Sequence, residues 1–231
     1  KKTIRSILNQ NYKNYEVIFV YDDYDIKELN YIKNILRPIK KKKIINNLKN
    51  LGVAKSRNIA IKHCKGDFIT FIDSDDIWKN NKLYDQHQFM IKKSFLFSFT
   101  SYNVIDEKDR LIKKRKVKVV ADYKNLSKSN FIGLSTVMLH KKILKRIVFP
   151  NLKTQEDLGL WLKLCRQGIK LNHLNKPLTL WRKTSNSLSS NTFRKLRDAF
   201  LLFYIYENKN FINSIYSVIT LSYNKILKEL R

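Results

Sequence analysis

Glycine, proline and cysteine are scarce in this chain, at 5, 3 and 2 of 231 residues. With so few breakers and no internal repeat, a repeat array and a long low-complexity linker are excluded. The two cysteines, Cys64 and Cys165, form neither a C-x-x-C pair nor a metal-binding spacing, so they read as reduced core thiols, and a reducing cytosol is the simpler address. A secretory signal is not visible, and neither is the run of about 18 apolar residues that would cross a bilayer. The expected location is cytoplasmic, with peripheral contact on the inner face of the membrane as an option. Acidic residues are the remaining shortage: 19 Asp and Glu face 47 Lys and Arg, a formal charge of +28.

That excess invites a nucleic-acid reading, since Lys and Arg neutralise phosphates and release counterions. The excess is mostly lysine, with 36 Lys to 11 Arg, in a chain also heavy in Asn, Ile, Tyr and Phe, all encoded by AT-rich codons. Runs such as Lys40 to Lys43 and Lys113 to Lys118 lack the interleaved aromatics of a base-stacking platform. The charge therefore reads as background, useful near anionic membranes, and nucleic acid is not an expected partner. An apolar fraction of 43%, with 12% aromatic residues, excludes general disorder.

From Lys1 to about Asp76, short apolar runs alternate with amphipathic stretches, the pattern of βα units around a mainly parallel sheet. Glu16 to Tyr21 reads as a buried strand ending at Asp22-Asp23. Ile26 to Leu36 and Gly52 to His63 read as helices, Lys43 to Ile45 and Phe68 to Ile72 as strands. The chain opens on a helical stretch, Thr3 to Leu8, with no strand before it, which carries the expectation that a first strand is missing. Further on, Phe95 to Ile105 and Leu111 to Val120 read as antiparallel strands around a turn at 106–109, and Phe131 to Leu139 as another strand. Thr154 to Asp157 opens a helix running to Gly168. A polar loop, 183–192, then leads into two amphipathic helices.

The strand Phe68 to Ile72 stops at Asp73-Ser74-Asp75-Asp76. Two carboxylates two residues apart at a strand end can converge on one cation, and hard oxygen ligands suit Mg2+ or Mn2+. The same residues also serve as ordinary turn and cap residues, with Asp76 capping a helix that begins near Trp78. Three acids at the end of a buried strand favour the metal reading, because a cation would offset their repulsion.

Three ordered blocks carry a resemblance: Ser6 to Ile18, reading SILNQNYKNYEVI; Asn50 to Ala60, reading NLGVAKSRNIA; and Gly66 to Trp78, reading GDFITFIDSDDIW. Together they resemble the successive signatures of glycosyltransferase family 2, over about residues 1–190 and most weakly between Phe95 and Phe131. The resemblance implies an α/β fold of the GT-A type, Rossmann-like, with a mixed, mainly parallel sheet flanked by helices and a C-terminal helical appendage. It also implies a nucleotide-sugar donor, UDP-linked, a divalent cation, and a saccharide or lipid-linked acceptor.

Carried over by position, the resemblance places Asp22 at the nucleobase, Arg57 at the nucleotide, Asp73 at ribose or metal, and Asp75 as a direct metal ligand. The chain reads Asp22-Asp23-Tyr24-Asp25 where the family usually has Asp-Asp-Gly-Ser, a departure at the base contact. Glu156-Asp157 before an apolar helix resembles the family's acidic pair, with Asp157 as general base of an inverting transfer and Glu156 and Trp161 at the acceptor. Thr154-x-x-Asp157 is also a capping-box pattern. Arg182 and the loop 185–189 resemble the strand end and loop that fold over the diphosphate. The Q-x-x-R-W motif of processive synthases is absent, so transfer of one sugar per encounter is expected.

The expected organisation is a nucleotide-sugar half at 1–115, an acceptor half with the base at 116–190, and an amphipathic tail at 191–231. The tail reads as packed helices or, since it is basic and amphipathic, as an interfacial anchor. The alternatives to an active transferase are a degenerate family member and a basic nucleic-acid-binding module.

Overall fold

The computed structural model describes residues 2–144, 148–184 and 191–230. Helix α1 (Lys2–Leu8) leads to strand β1 (Val17–Tyr21), whose β-branched and aromatic residues suit a pleated, half-buried position. Strand β2 (Lys42–Asn46) pairs with β1 in parallel, Val17 opposite Lys42 and Tyr21 opposite Asn46. A parallel pair needs a crossover, and α2 (Ile26–Ile35) supplies it, started by the Asp25 carboxylate accepting from the amides of Lys27 and Glu28. Gly52, at φ +84°, then turns the chain into α3 (Val53–His63) through a backbone conformation that side chains disfavour.

A second sheet holds β3 (Phe68–Thr70), β4 (Ile77–Trp78), β5 (Phe97–Ile105), β6 (Leu111–Arg115), β7 (Val137–His140) and β8 (Asn172–Arg182). Its order is β3-β7-β5-β8-β4, with β6 also on β5. Only β5 with β8 is parallel there; the other pairings are antiparallel. Among the described residues the parallel component expected from the βα alternation is thus confined to β1–β2 and β5–β8, and the sheet is mixed. Two local expectations also change. Ile77–Trp78 is a strand on β8 rather than a helix start, so Asp76 caps nothing, and the next helix, α4, begins only at Lys82 and runs to Lys92. The stretch from Phe131 is extended as a strand only from Val137, after a 3-10 turn at Leu134–Thr136.

Helix α5 (Tyr123–Leu126) is a single turn, and α6 (Glu156–Arg166) is the central helix. Leu158, Leu160, Trp161, Leu162 and Leu164 of α6 are all fully buried, so this face lies within the core with Phe97 and Phe99 of β5, while Lys163 and Arg166 take the exposed side. Cys64 and Cys165 are both free and half-buried, and burial pushes each thiol up to about 11. Helix α7 (Thr192–Leu201) continues through a π-helical segment, Leu202–Tyr206, to α8 (Phe211–Leu230).

The depth of α6 depends on Gly159. A Cβ there would stand 2.6 Å from Cγ of Pro150 and 2.9 Å from Cδ1 of Leu202, closer than atoms can approach. Gly159→Ala is expected to destabilise by about 1–3 kcal/mol through overpacking. Denaturant midpoints of the two proteins check this, and an unchanged midpoint would show that Pro150 and Leu202 yield freely.

Candidate active site

The turn after β3 is closed by the Asp76 amide donating to the Asp73 carbonyl, 3.1 Å. The Asp73 amide donates to Oγ of Ser135, which ties the turn to the segment before β7. This puts the Asp73 carboxylate opposite α3, where Nη2 of Arg57 meets its Oδ1 at 2.8 Å. The other terminal nitrogen of Arg57 pairs with Oε1 of Glu156, at the start of α6. Arg57 thus joins two acidic motifs far apart in sequence, with its guanidinium over the Phe149 ring at 5.6 Å. Its side chain is 15% exposed, and that of Glu156 11%. Burial alone would lower the pKa of Arg57, but Asp73 and Glu156 outweigh it and raise the value.

Helix α6 does not start with the capping box that Thr154 offered. Gln155 stands before the first turn with left-handed backbone, φ 66°, and the amide and hydroxyl of Thr154 are instead taken by Oδ2 of Asp198 in α7, at 2.9 and 3.0 Å. Glu156 and Asp157 therefore occupy the first turn, where the helix dipole favours negative charge. Asp157 is half-buried. Its Oδ1 accepts from the Leu158 amide at 2.7 Å, and Nδ2 of Asn130 lies 3.3 Å from each of its oxygens. Burial, followed by repulsion from Asp157, pushes Glu156 up to about 7 against the pull of Arg57, and burial raises Asp157 as well. The two titrate as a pair with a proton affinity above the ordinary carboxylate range. Nothing in its spacing sets Asn130 apart from the many other asparagines, so the sequence carries no signal for it.

Asp75 lies on the other side of the turn. With Lys2, Thr3, Ser74, Glu107 and Arg182 it lines an open cleft of about 310 Å³. Burial and the nearby Asp73 raise its pKa, and Arg182 works against them. Arg182 sits close by, but its guanidinium is occupied: Nε donates to the Asp75 carbonyl at 2.9 Å, Nη1 to the Asp106 carbonyl at 2.8 Å, and Nη2 meets Asp109 at 2.6 Å. Its amide donates to Oδ1 of Asp76. Arg182 is therefore a strut between the Asp75 turn and the β5–β6 turn. Asp76 is buried and pushed up to about 7, first by burial and then by Asp73. The loop 185–189, expected over the diphosphate, lies outside the described residues.

Two further residues fall away from this constellation. Trp161, read as an acceptor contact, is corrected: it is fully buried, its ring edge-on to Phe97 at 5.1 Å, because α6 is enclosed on that side as well. Asp22 ends β1 as expected, but its carboxylate accepts from the amides of Leu51 and Gly52 at 2.8 Å each and from Nδ2 of Asn47 at 2.7 Å. In this arrangement it shapes the turn into α3.

Among the described residues, no group of three or more His, Cys, Asp or Glu side chains could hold a metal ion by itself. Asp75 offers a half-buried carboxylate whose charge is disfavoured by burial and by Asp73, which a cation would relieve. Mg2+-like ions use one or two carboxylates and take their remaining ligands from substrate phosphates and water. The donor set fits a cation shared with a bound diphosphate, with Asp73 already committed to Arg57.

Residues 1–152 match the family model described as Glycosyl transferase family 2. The chain is 28% identical over 229 residues to the putative teichuronic acid biosynthesis glycosyltransferase TuaG of Bacillus subtilis, covering 99% of this chain and 91% of that one. It is 36% identical over 197 residues to the UDP-Glc:alpha-D-GlcNAc-diphosphoundecaprenol beta-1,3-glucosyltransferase WfaP of Escherichia coli, covering 84% and 76%. Its fold is similar to S. aureus TarS 1–349 in complex with UDP-GlcNAc, with TM-score 0.71, 21% identity and coverage of 87% of this chain and 60% of that one. It is also similar to the mannosyltransferase PcManGT of Pyrobaculum calidifontis in complex with GDP-Man and Mn2+, with TM-score 0.68, 13% identity and coverage of 93% and 64%. The chain thus spans about 60% of the TarS fragment's length.

Proposed function

The chain belongs to glycosyltransferase family 2, and from that premise we propose that it moves one sugar, with inversion, from a UDP-linked donor to a hydroxyl of a saccharide or lipid-linked acceptor during cell-surface polysaccharide assembly. The observation that carries this reading is the single guanidinium of Arg57 joining the Asp73 turn to the helix start that bears Asp157. The donor-side and acceptor-side acids are thereby held in one rigid arrangement.

In this reading Asp157 takes the proton of the acceptor hydroxyl as its oxygen bonds to the anomeric carbon and the bond from that carbon to the diphosphate oxygen breaks on the opposite face. Asn130 orients the base, and Arg57 holds Glu156 so that the second carboxylate does not swing toward it. A divalent cation at Asp75 would supply charge neutralisation for the departing nucleoside diphosphate. Names of relatives support the substrate classes: that of WfaP specifies UDP-Glc and a diphosphoundecaprenol acceptor.

Donor binding across UDP-, GDP- and dTDP-sugars, with and without Mn2+, tests the donor side. UDP-sugars should bind best, and Asp75→Asn should remove the Mn2+-dependent part. Binding that ignores both Mn2+ and Asp75 would overturn the metal assignment.

The carboxylate pair also fixes the pH response. The base must be ionised, so kcat/KM should fall on the acid side with an apparent pKa above the ordinary Asp range, because burial raises Asp157. Stability should move the other way. A carboxyl raised on folding stabilises fully below 4.5, and that contribution is lost as pH rises through about 7. A pH–rate profile beside thermal melts over the same range checks both. An acid limb at the ordinary Asp value of 3.8 would remove Asp157 from the rate law.

A further inference from the structure

Helix α8 is inside out. Its buried face carries Ser214, Ser217 and Leu221, while Ile212, Ile215, Tyr216, Ile219, Tyr223 and Ile226 are exposed, from 40% to 77%. The exposed set recurs every three or four residues, which is one stripe along the helix. The buried serines are satisfied by the helix itself, Ser214 donating to the Asn210 carbonyl and Ser217 to the Asn213 carbonyl. The stripe continues onto the neighbouring segment through Phe200, whose ring touches those of both Tyr204 and Phe211. Isolated exposed apolar residues are ordinary, but a contiguous stripe of this length marks a surface that something covers.

Charge indicates what covers it. The only carboxylates between Asn191 and Lys228, Asp198 and Glu207, are both buried. At the far end of the stripe, Lys113 and Arg115 of β6 both donate to the Lys228 carbonyl. They belong to the basic run 113–118, in which Lys116 and Lys118 are exposed, and which is followed by exposed Val119 and Val120. A second copy of the chain would bring one net charge of +28 against another across this face, whereas an anionic surface is attracted to it. No helix among the described residues is long and apolar enough to cross a membrane.

We propose that the outer face of α8, with the basic run 113–118 beside it, docks in the plane of an anionic lipid bilayer. The apolar stripe enters the headgroup boundary and the lysines meet lipid phosphates, the usual arrangement of an interfacial amphipathic helix. This goes beyond the transfer reaction and does not depend on it.

The test is co-sedimentation of the full chain with phosphatidylcholine vesicles, with and without phosphatidylglycerol. Partitioning should require phosphatidylglycerol and weaken with salt. Lys116→Ala with Lys118→Ala should weaken it by about 30-fold, at about 1 kcal/mol for each basic residue. Ile219→Glu, at an exposed position, should abolish it while circular dichroism and UDP binding stay unchanged. Equal binding to neutral vesicles, or none to either, overturns the proposal. Light scattering on the free protein is the second arm: a doubled mass lost in Ile219→Glu assigns the face to a second copy. Binding to an oligonucleotide, lost in the lysine variant with no vesicle partitioning, assigns the charge to nucleic acid. UDP-sugar turnover with a soluble acceptor is measured alongside, so failure to bind lipid is distinguished from failure of the transferase reading.

Discussion

Asp157→Asn is expected to lower kcat by about 10²- to 10⁴-fold, the usual contribution of a positioned general base, with donor affinity unchanged. The substitution keeps the shape of the side chain and removes its capacity to take a proton. The oxygen of the introduced amide can still accept from the Leu158 amide, as the carboxylate does at 2.7 Å. Stability should rise slightly, because a carboxylate whose ionisation burial opposes has been removed. Glu156→Gln is the comparison. It weakens the pairing with Arg57 and should cost stability more than turnover. If Glu156→Gln lost more kcat than Asp157→Asn, the base would be Glu156.

Arg57→Ala is expected to destabilise the chain by about 3–5 kcal/mol, since removing one partner of a buried pair leaves uncompensated charge. Here it leaves two carboxylates, Glu156 at 11% side-chain exposure and Asp73 at 39%, where solvent screens part of the charge, so the loss should fall at the lower end of that range. Lysine is a poor replacement: it retains the charge, but its single ammonium cannot reproduce the fork that reaches both acids. Relief by a second change is the diagnostic part. In Arg57→Ala with Glu156→Gln, much of the loss should return, and urea melts of the four proteins give the coupling directly. A loss below about 1 kcal/mol would class the cluster with ordinary exposed ion pairs and remove its organising role.

How far these residues are legible in the sequence depends on distance along the chain. Asp73, Asp75, Glu156 and Asp157 stand out because a strand end and a helix start are local features. Two carboxylates two residues apart look equivalent in sequence, yet Arg57 takes Asp73 while Asp75 is left to the cleft. Arg182 reads as a phosphate contact because its partners, in the turn 106–109, are brought to it only by the parallel pairing of β5 with β8. That pairing, like the two-residue strand β4, has no local signature. Trp161 is misplaced from sequence because it follows closely on the acidic pair, whereas of α6 only Lys163 and Arg166 are exposed and Trp161 lies on the buried side.

The last forty residues look detachable by composition, but their inner side grips α6 and the residues around it at several points. Asp198 holds Thr154 just before α6, Leu202 lies against Gly159, Arg166 pairs with Glu207, and Lys228 donates to the carbonyl of Asn130. These contacts should make α6 and the tail one cooperative unit, expected to melt together. A cut in the connection at 183–192 would therefore not release an intact catalytic core. Losing the tail after such a cut would take away the wall against which Glu156 and Asp157 are aligned.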